Sequence, residues 1–318
     1  MVRYITEAQV ASAVGMPDAL AAVEHACREL AAGRAQNSPR ARVRDGEAGT
    51  ILHVLPATLD HRLGYKAYSS AKRGAKFWVH LYAATGEWLA IIEADRLGQL
   101  RTGAASGVAS RALAREDATT LGVIGTGYQA RTQIAAVCAV RPIDRIVVFG
   151  RDEDRRKTFA SAVQQELGID VVAASTAREA IEVADVVVTM TGSNDPVFDG
   201  TWLRPGTHVN AAGSNRLWAR EIDAETVRRA DIVAAEDLAQ LRVESGDLAE
   251  AVADGAFAWE RATRLADIVA GTSPTRTNEK QITLFESLGI GLWDVALANI
   301  AYDRCTENGV GSELPLDG

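Results

Sequence analysis

The amino-acid sequence predicts an α/β chain that combines a parallel sheet flanked by helices with an antiparallel sheet. Three observations carry this. After Asp117 the runs TTLGVIG, RIVVFG, DVVVTMT, THVNAAG and ADIVAA are almost continuously apolar and alternate with helical stretches, the pattern of βαβ units whose strands are covered on both faces. Before Asp117, ARVRDGEAGTILHVLPA, LGYKAYSS and KFWVHLYAATGEWLAIIEA are β-rich runs punctuated by Asp-Gly, Ala-Gly and Thr-Gly, as in hairpins. Where the two patterns meet, a Gly-x-Gly-x-x-Ala string follows an apolar strand and opens a helix.

Composition sets the outer limits. A chain of 318 residues, 47% apolar and 24% charged, has room for two globular domains. Its 34 basic against 42 acidic residues leave a net charge of −8, which disfavours nucleic-acid and anionic-membrane partners because both need a basic face. Cys27, Cys138 and Cys305 are far apart, without CxxC spacing, so reduced thiols in a reducing compartment are expected. No run of about 18 apolar residues occurs, and a cytoplasmic location is expected. His25, His53, His61, His80 and His208 show neither HxH nor HExxH spacing, so no metal site is expected.

Along the chain, Leu20, Val23, Cys27 and Leu30 fall on one side of a helix from Pro17 to Ala32 that Gly33 closes. The stretch from Gly98 to Ala114 is rich in small residues and reads as a helix packed closely on a neighbour. A helix starts near Gln129, another runs through FASAVQQEL, and ITLFESLGIGLWDVALANIAYDRC reads as one further helical stretch. ENGVGSELPLDG reads as a loose tail.

The Gly-x-Gly-x-x-Ala string is Gly125, Thr126, Gly127, Tyr128, Gln129 and Ala130. The first glycine permits a tight turn and the second lets the backbone approach a pyrophosphate. Ala130 allows close helix packing, with free N–H groups at the helix start for the phosphates. These six residues, with Thr191, the last residue of DVVVTMT, are assigned to a nicotinamide dinucleotide. The second strand ends in Phe149-Gly150-Arg151-Asp152. An arginine there accommodates a 2′-phosphate and a carboxylate binds the 2′-hydroxyl, so Arg151, with Arg155 and Arg156 one turn on, favours NADPH. Asp152 keeps NADH open.

Upstream, Arg40, Arg42 and Arg44 alternate in PRARVR and would share one strand face. Lysine is rare: only Lys66, Lys72, Lys76, Lys157 and Lys280. Lys66 sits in the partly apolar LGYKAYSS, and Arg101-Thr102 heads the small-residue helix. The plain alternative for each is a solvated surface charge.

RTGAASGVASRALAREDATTLGVIGTGYQA closely resembles the signature of the ornithine cyclodeaminase and mu-crystallin family. LGYKAY, TGEWLAIIEADRLGQLRT, RPGTHVNAAGSNRLWAREID and ITLFESLGIGLWDVA extend the resemblance over nearly the whole chain. It implies an α/β fold with a Rossmann dinucleotide-binding domain, 117–288, inserted in a discontinuous α+β substrate-binding and dimerisation domain, 1–116 plus 289–318. It implies a homodimer and a small imino-acid or amino-acid substrate. By the resemblance, Lys66 and Arg101 hold the substrate carboxylate, the earlier strand arginine falls on Arg40 with Arg42 the alternative, and Thr102 lies near the cofactor.

The sequence departs from the family pattern where ornithine cyclodeaminases and alanine dehydrogenase carry a Gly-x-Asp motif: it reads Gly213-Ser214-Asn215. An amide can orient an amine or imine but cannot act as a base. The reading is therefore NAD(P)H-dependent reduction of the C=N bond of a small 2-imino acid, with Lys66 and Asn215 at the reacting centre. The alternatives are ornithine cyclodeamination and a cofactor-binding protein without turnover.

Overall fold

The computed structural model describes residues 1–71 and 74–316; Lys72 lies outside them. The chain forms two compact units, one made of Met1–Ala104 with the segment from Gly289 on, the other of Ala105–Leu288. The division falls inside a helix, earlier than the position 116 read from the sequence.

In the first unit the chain order begins with β1 (Val2–Ile5), α1 (Glu7–Ala13), α2 (Met16–Ala31), β2 (Gln36–Asn37), β3 (Ala41–Arg44), β4 (Ile51–Leu59), β5 (Arg62–Ala71), β6 (Gly74–Ala83), β7 (Trp88–Glu93) and the helix that crosses the division, α3 (Asp95–Leu113). β4 to β7 form the expected antiparallel hairpins. α2 buries Leu20, Val23, Ala26 and Cys27 on one side, as the apolar spacing requires.

The second unit runs β8 (Thr120–Ile124), α4 (Ala130–Cys138), β9 (Arg145–Phe149), α5 (Glu153–Leu167), β10 (Asp170–Ala173), α6 (Ala177–Ile181), β11 (Val186–Thr189), β12 (His208–Ala211), α7 (Ala224–Arg229), β13 (Ile232–Ala235), α8 (Leu238–Glu244), α9 (Gly246–Ala253), β14 (Ala262–Arg264), α10 (Leu265–Val269) and β15 (Thr283–Glu286). Its sheet has the order β10-β9-β8-β11-β12-β15-β13-β14, and every pairing is parallel. β8 and β11 are neighbours although the chain builds β9 and β10 between them. Chain direction across the sheet therefore reverses there, which leaves a crevice at the carboxyl ends of these strands where doubly wound sheets bind ligands.

The chain then returns to the first unit with α11 (Gly291–Glu307) and β16 (Ser312–Leu314). α11 lies on β4, β5 and β6 and against α2, with Leu292, Trp293, Val295 and Leu297 fully buried. The first unit's sheet runs β16-β1-β7-β6-β5-β4-β2, with β3 also on β4.

Three expectations are corrected. ITLFE is a buried parallel strand rather than the start of a helix: β12 and β13 flank it and supply its backbone partners. The C-terminal stretch read as a loose tail contains β16, which pairs antiparallel with β1 through Val2 and Leu314. Arg40 precedes β3, so it does not share a strand face with Arg42 and Arg44. Among the described residues no helix is long and apolar enough to cross a membrane.

Candidate active site

In the first unit, β5 places Lys66 between Leu55 and Val79 of the neighbouring strands. Its Nζ donates to Asp294 Oδ1 on α11 at 3.0 Å, and Arg101 Nε on α3 donates to the same oxygen at 3.1 Å. All three side chains are buried. Gly98, three residues before Arg101, makes room for the ammonium: a Cβ there would stand 2.7 Å from Nζ. The rings of Phe77 and Tyr68 lie 4.9 and 5.9 Å from Nζ, so water is largely replaced by aromatic faces.

At these separations each ion pair gains about 5 kcal/mol in a medium of effective dielectric 20. Burying each ion costs several kcal/mol. The cluster persists by near-cancellation, and it is not neutral. Arg40, whose Nη2 donates to Gly289 O at 2.9 Å, adds a third positive charge that bears on Lys66. Two cations, Lys66 and Arg101, share the one carboxylate of Asp294. Arg101 Nη1 is buried without a hydrogen bond, a donor that is costly to leave unmet unless a ligand oxygen takes it.

The same setting makes Lys66 titratable near neutrality. Burial pushes its ammonium down to about 8; Asp294 opposes this, while Arg101 and Arg40 add to it. Arg42 is differently engaged. It lies across from His53 in the β3–β4 register, and its Nε donates to His53 Nδ1 at 3.3 Å. His53 Nε2 then carries the proton and donates to Ser70 Oγ at 2.8 Å. Burial, then the charges of Arg42 and Arg40, push His53 down to about 4, so its ring, stacked at 4.2 Å on Tyr68, is neutral.

In the second unit, Gly125, Thr126 and Gly127 line a cavity of about 470 Å³ at the β8–β11 crevice, with Gly150, Arg151, Asp152, Arg155, Thr191, Gly192 and Ser193 among its walls. Gly125 has φ +116, and a Cβ on it would meet Met190 O at 2.2 Å. A Cβ on Gly127 would meet nothing within 4 Å, so at this glycine the cradle is open to a diphosphate. Ala130 is fully buried as the first residue of α4, Tyr128 is half exposed, and Gln129 Oε1 is buried without a hydrogen bond. Residues and space fit a dinucleotide.

Asp152 caps α5, its carboxylate accepting from Arg155 N at 2.9 Å. Arg156 turns inward, donating to Gly150 O at 2.6 Å with its guanidinium 5.4 Å from the Phe149 ring. It is therefore not a wall of the cavity, unlike Arg151 and Arg155.

The other sequence candidates divide between the units. Thr102 is in the first unit, its hydroxyl donating to Gly98 O at 2.7 Å within α3. Asn215 is half-buried in the second unit, in the loop after β12. Sequence reasoning missed Asp294. The available signal was the one charged residue inside GLWDVALANIA, apolar otherwise except for Asn299, since a fully surrounded helix does not bury a charge without partners.

A model of the ornithine cyclodeaminase/mu-crystallin family matches residues 2–309. The chain belongs to this family. Among family relatives, it is 38% identical over 231 residues to a Delta(1)-pyrroline-2-carboxylate reductase of Bacillus cereus, covering 72% of this chain and 71% of the relative. The solved structure of the Thermococcus litoralis reductase of the same name, in complex with NADH and L-proline, matches with TM-score 0.94 and 33% identity, covering 98% of this chain and all of that one. An archaeal alanine dehydrogenase dimer with bound NAD matches with TM-score 0.93 and 31% identity, covering 99% of each chain.

With five lysines in the sequence, the Lys66 titration can be read directly by NMR of protein carrying 13Cε-lysine. One resonance, absent from Lys66→Met, should titrate near pH 8. In Asp294→Asn it should titrate at lower pH, because the substitution removes the anion that favours the ammonium. An unmoved midpoint would show that Asp294 does not set the charge of Lys66.

Proposed function

We propose that this chain is an NAD(P)H-dependent oxidoreductase that reduces the C=N bond of a small 2-imino acid and, in reverse, oxidises the amino acid. The observation that carries the reading is the buried Lys66–Asp294–Arg101 cluster with its excess of positive charge and its unmet Arg101 Nη1 donor. A substrate carboxylate satisfies both. The names and bound molecules of the similar proteins support the same chemistry.

A bound dihydronicotinamide supplies the hydride that, with one proton, converts C=N to CH–NH. The protein's contribution is to orient the carboxylate with Arg101, Arg40 and Lys66, and to hold a proton at Lys66 Nζ, which titrates near the working pH. Asn215, where cyclodeaminases carry an aspartate, provides no base, which favours net imine reduction over cyclodeamination.

Arg151 and Arg155 line the cavity while the Asp152 carboxylate is engaged as a helix cap. This supports NADPH as the preferred cofactor, with NADH as the competitor. We also propose a homodimer formed on the first unit's outer sheet face. There Tyr65, His80, Trp88 and Tyr82 form one stacked cluster, and Val43, Leu52 and Leu63 are exposed on the same face. An apolar patch of that kind marks an interface, and the alanine dehydrogenase relative is described as a dimer.

The deciding assay offers cyclic and acyclic 2-imino acids, beginning with Delta(1)-pyrroline-2-carboxylate, and follows NAD(P)H and ammonia together. Stoichiometric cofactor oxidation is expected; ammonia release from ornithine without net cofactor change would reverse the reading. Lys66→Met should cut turnover by roughly a hundredfold or more, since an unpaired buried carboxylate costs several kcal/mol, while cofactor affinity measured by titration stays within about twofold. Arg151→Ala should erase roughly ten- to a hundredfold of NADPH preference, the worth of a charge-assisted contact; a wild type that prefers NADH would make Asp152 the reader. Sedimentation at micromolar concentration should give twice the chain mass of 33.9 kDa, and a monomer would remove the dimer proposal.

A further inference from the structure

Glu221 is a fully buried carboxylate in the loop between β12 and α7 that the reaction chemistry above does not use. Its two oxygens serve two different loops. Oε1 accepts from Thr191 N at 2.5 Å, at the start of the segment 190–197 that lines the dinucleotide cavity. Oε2 accepts from Gly213 N at 2.7 Å, the first residue of Gly213-Ser214-Asn215, and from Thr189 Oγ1 at 2.9 Å. The Glu221 backbone holds the far end of the cavity segment, because its carbonyl accepts from Val197 N at 2.8 Å.

The brace is itself fixed and leaves no slack. Asp247 Oδ1 accepts from Glu221 N at 2.6 Å and Ile222 N at 2.8 Å. A Cβ on Gly213 would lie 2.6 Å from Glu221 Oε1 and 2.5 Å from both Thr191 N and Thr191 O, so the two loops are in backbone contact at the carboxylate. Met190, just before Thr191, is the residue against which Gly125 turns. A carboxylate is the group this arrangement needs, because all three donors point inward and only a side chain with two acceptor oxygens meets them all.

We propose that Glu221 is a positioning residue: by tying the cavity-lining segment 190–197 to Gly213 at the start of the Gly213-Ser214-Asn215 turn, its carboxylate holds that segment at the geometry that binds the dinucleotide. This deepens the proposed function and rests on its cofactor cleft alone, not on the identity of the imine.

Glu221→Gln tests it with minimal change of shape. Whichever way the amide is turned, its NH2 faces either Thr191 N or Gly213 N, so one loop loses its anchor. NADH and NADPH are titrated into the whole protein by fluorescence, with thermal unfolding followed in parallel. Affinity for both cofactors should fall tenfold or more in the folded Gln variant. A folded Gln variant that binds both cofactors within twofold of wild type overturns the proposal. If the Gln variant does not fold, Glu221→Asp decides on the same criterion, because it keeps the charge but is too short to span both loops. A role in stability alone would lower the unfolding temperature and leave the dissociation constants unmoved. Because binding is read without substrate, a wild type that binds cofactor but reduces no imine defeats the imine-reductase reading and leaves this proposal standing.

Discussion

The buried Asp294 carboxylate is the constraint around which the first unit's chemistry is arranged. A single oxygen accepts from both Lys66 and Arg101, and those residues come from β5 and α3 while Asp294 comes from α11. Three elements distant in sequence must therefore meet with little tolerance, because a carboxylate or an ammonium buried without its partner costs several kcal/mol. Close packing makes the meeting possible. Gly98 clears the ammonium, and α11 lies against the backbone of β4 at Gly291, where a Cβ would meet Leu55 O at 2.3 Å. What remains after the pairings is positive charge held in place before any ligand arrives, which is the preorganisation that carboxylate recognition requires.

The second unit reaches preorganisation by another route. Its crevice exists because the parallel sheet reverses direction between β8 and β11, and no single interaction creates it. Strand ends leave loops, and loops by themselves hold no fixed geometry. Here a buried acidic side chain supplies the missing order: the Glu221 carboxyl group and backbone tie both ends of one wall and the start of the neighbouring turn. Both units thus spend a buried carboxylate on orientation. In the first its partners are cations and the residual charge is used; in the second they are neutral donors and the result is shape.

This difference explains what could be read from sequence. The dinucleotide loop was legible because strand, glycines and helix are contiguous, so local pattern contains the site. The hairpins, α2 and the small-residue helix were legible for the same reason. Lys66 and Arg101 stood out once the family resemblance placed them, and the structure adds that they share a partner. Asp294 and Glu221 were not legible, because their partners are remote: Lys66 and Asp294 are 228 residues apart, Thr191 and Glu221 are 30. The strand β15 was misread because a short apolar run has no period that separates a buried strand from a buried helix. β16 was missed because a three-residue edge strand is defined by β1, not by its own composition.

Under the proposed function the Lys66–Asp294–Arg101 cluster receives an anionic carboxylate, and Lys66 is the member that gains or loses a proton. Calorimetric titration of the cofactor-saturated protein with L-proline or pyrrole-2-carboxylate, at pH 9 in buffers of different ionisation enthalpy, reads both parts at once. With Lys66 pushed down to about 8, most of the free protein is deprotonated there, and an incoming carboxylate restores the ammonium. Uptake of a substantial fraction of a proton per ligand bound is expected in wild type, and none in Lys66→Met. Binding in wild type with no proton uptake, or uptake that survives in Lys66→Met, would contradict that expectation.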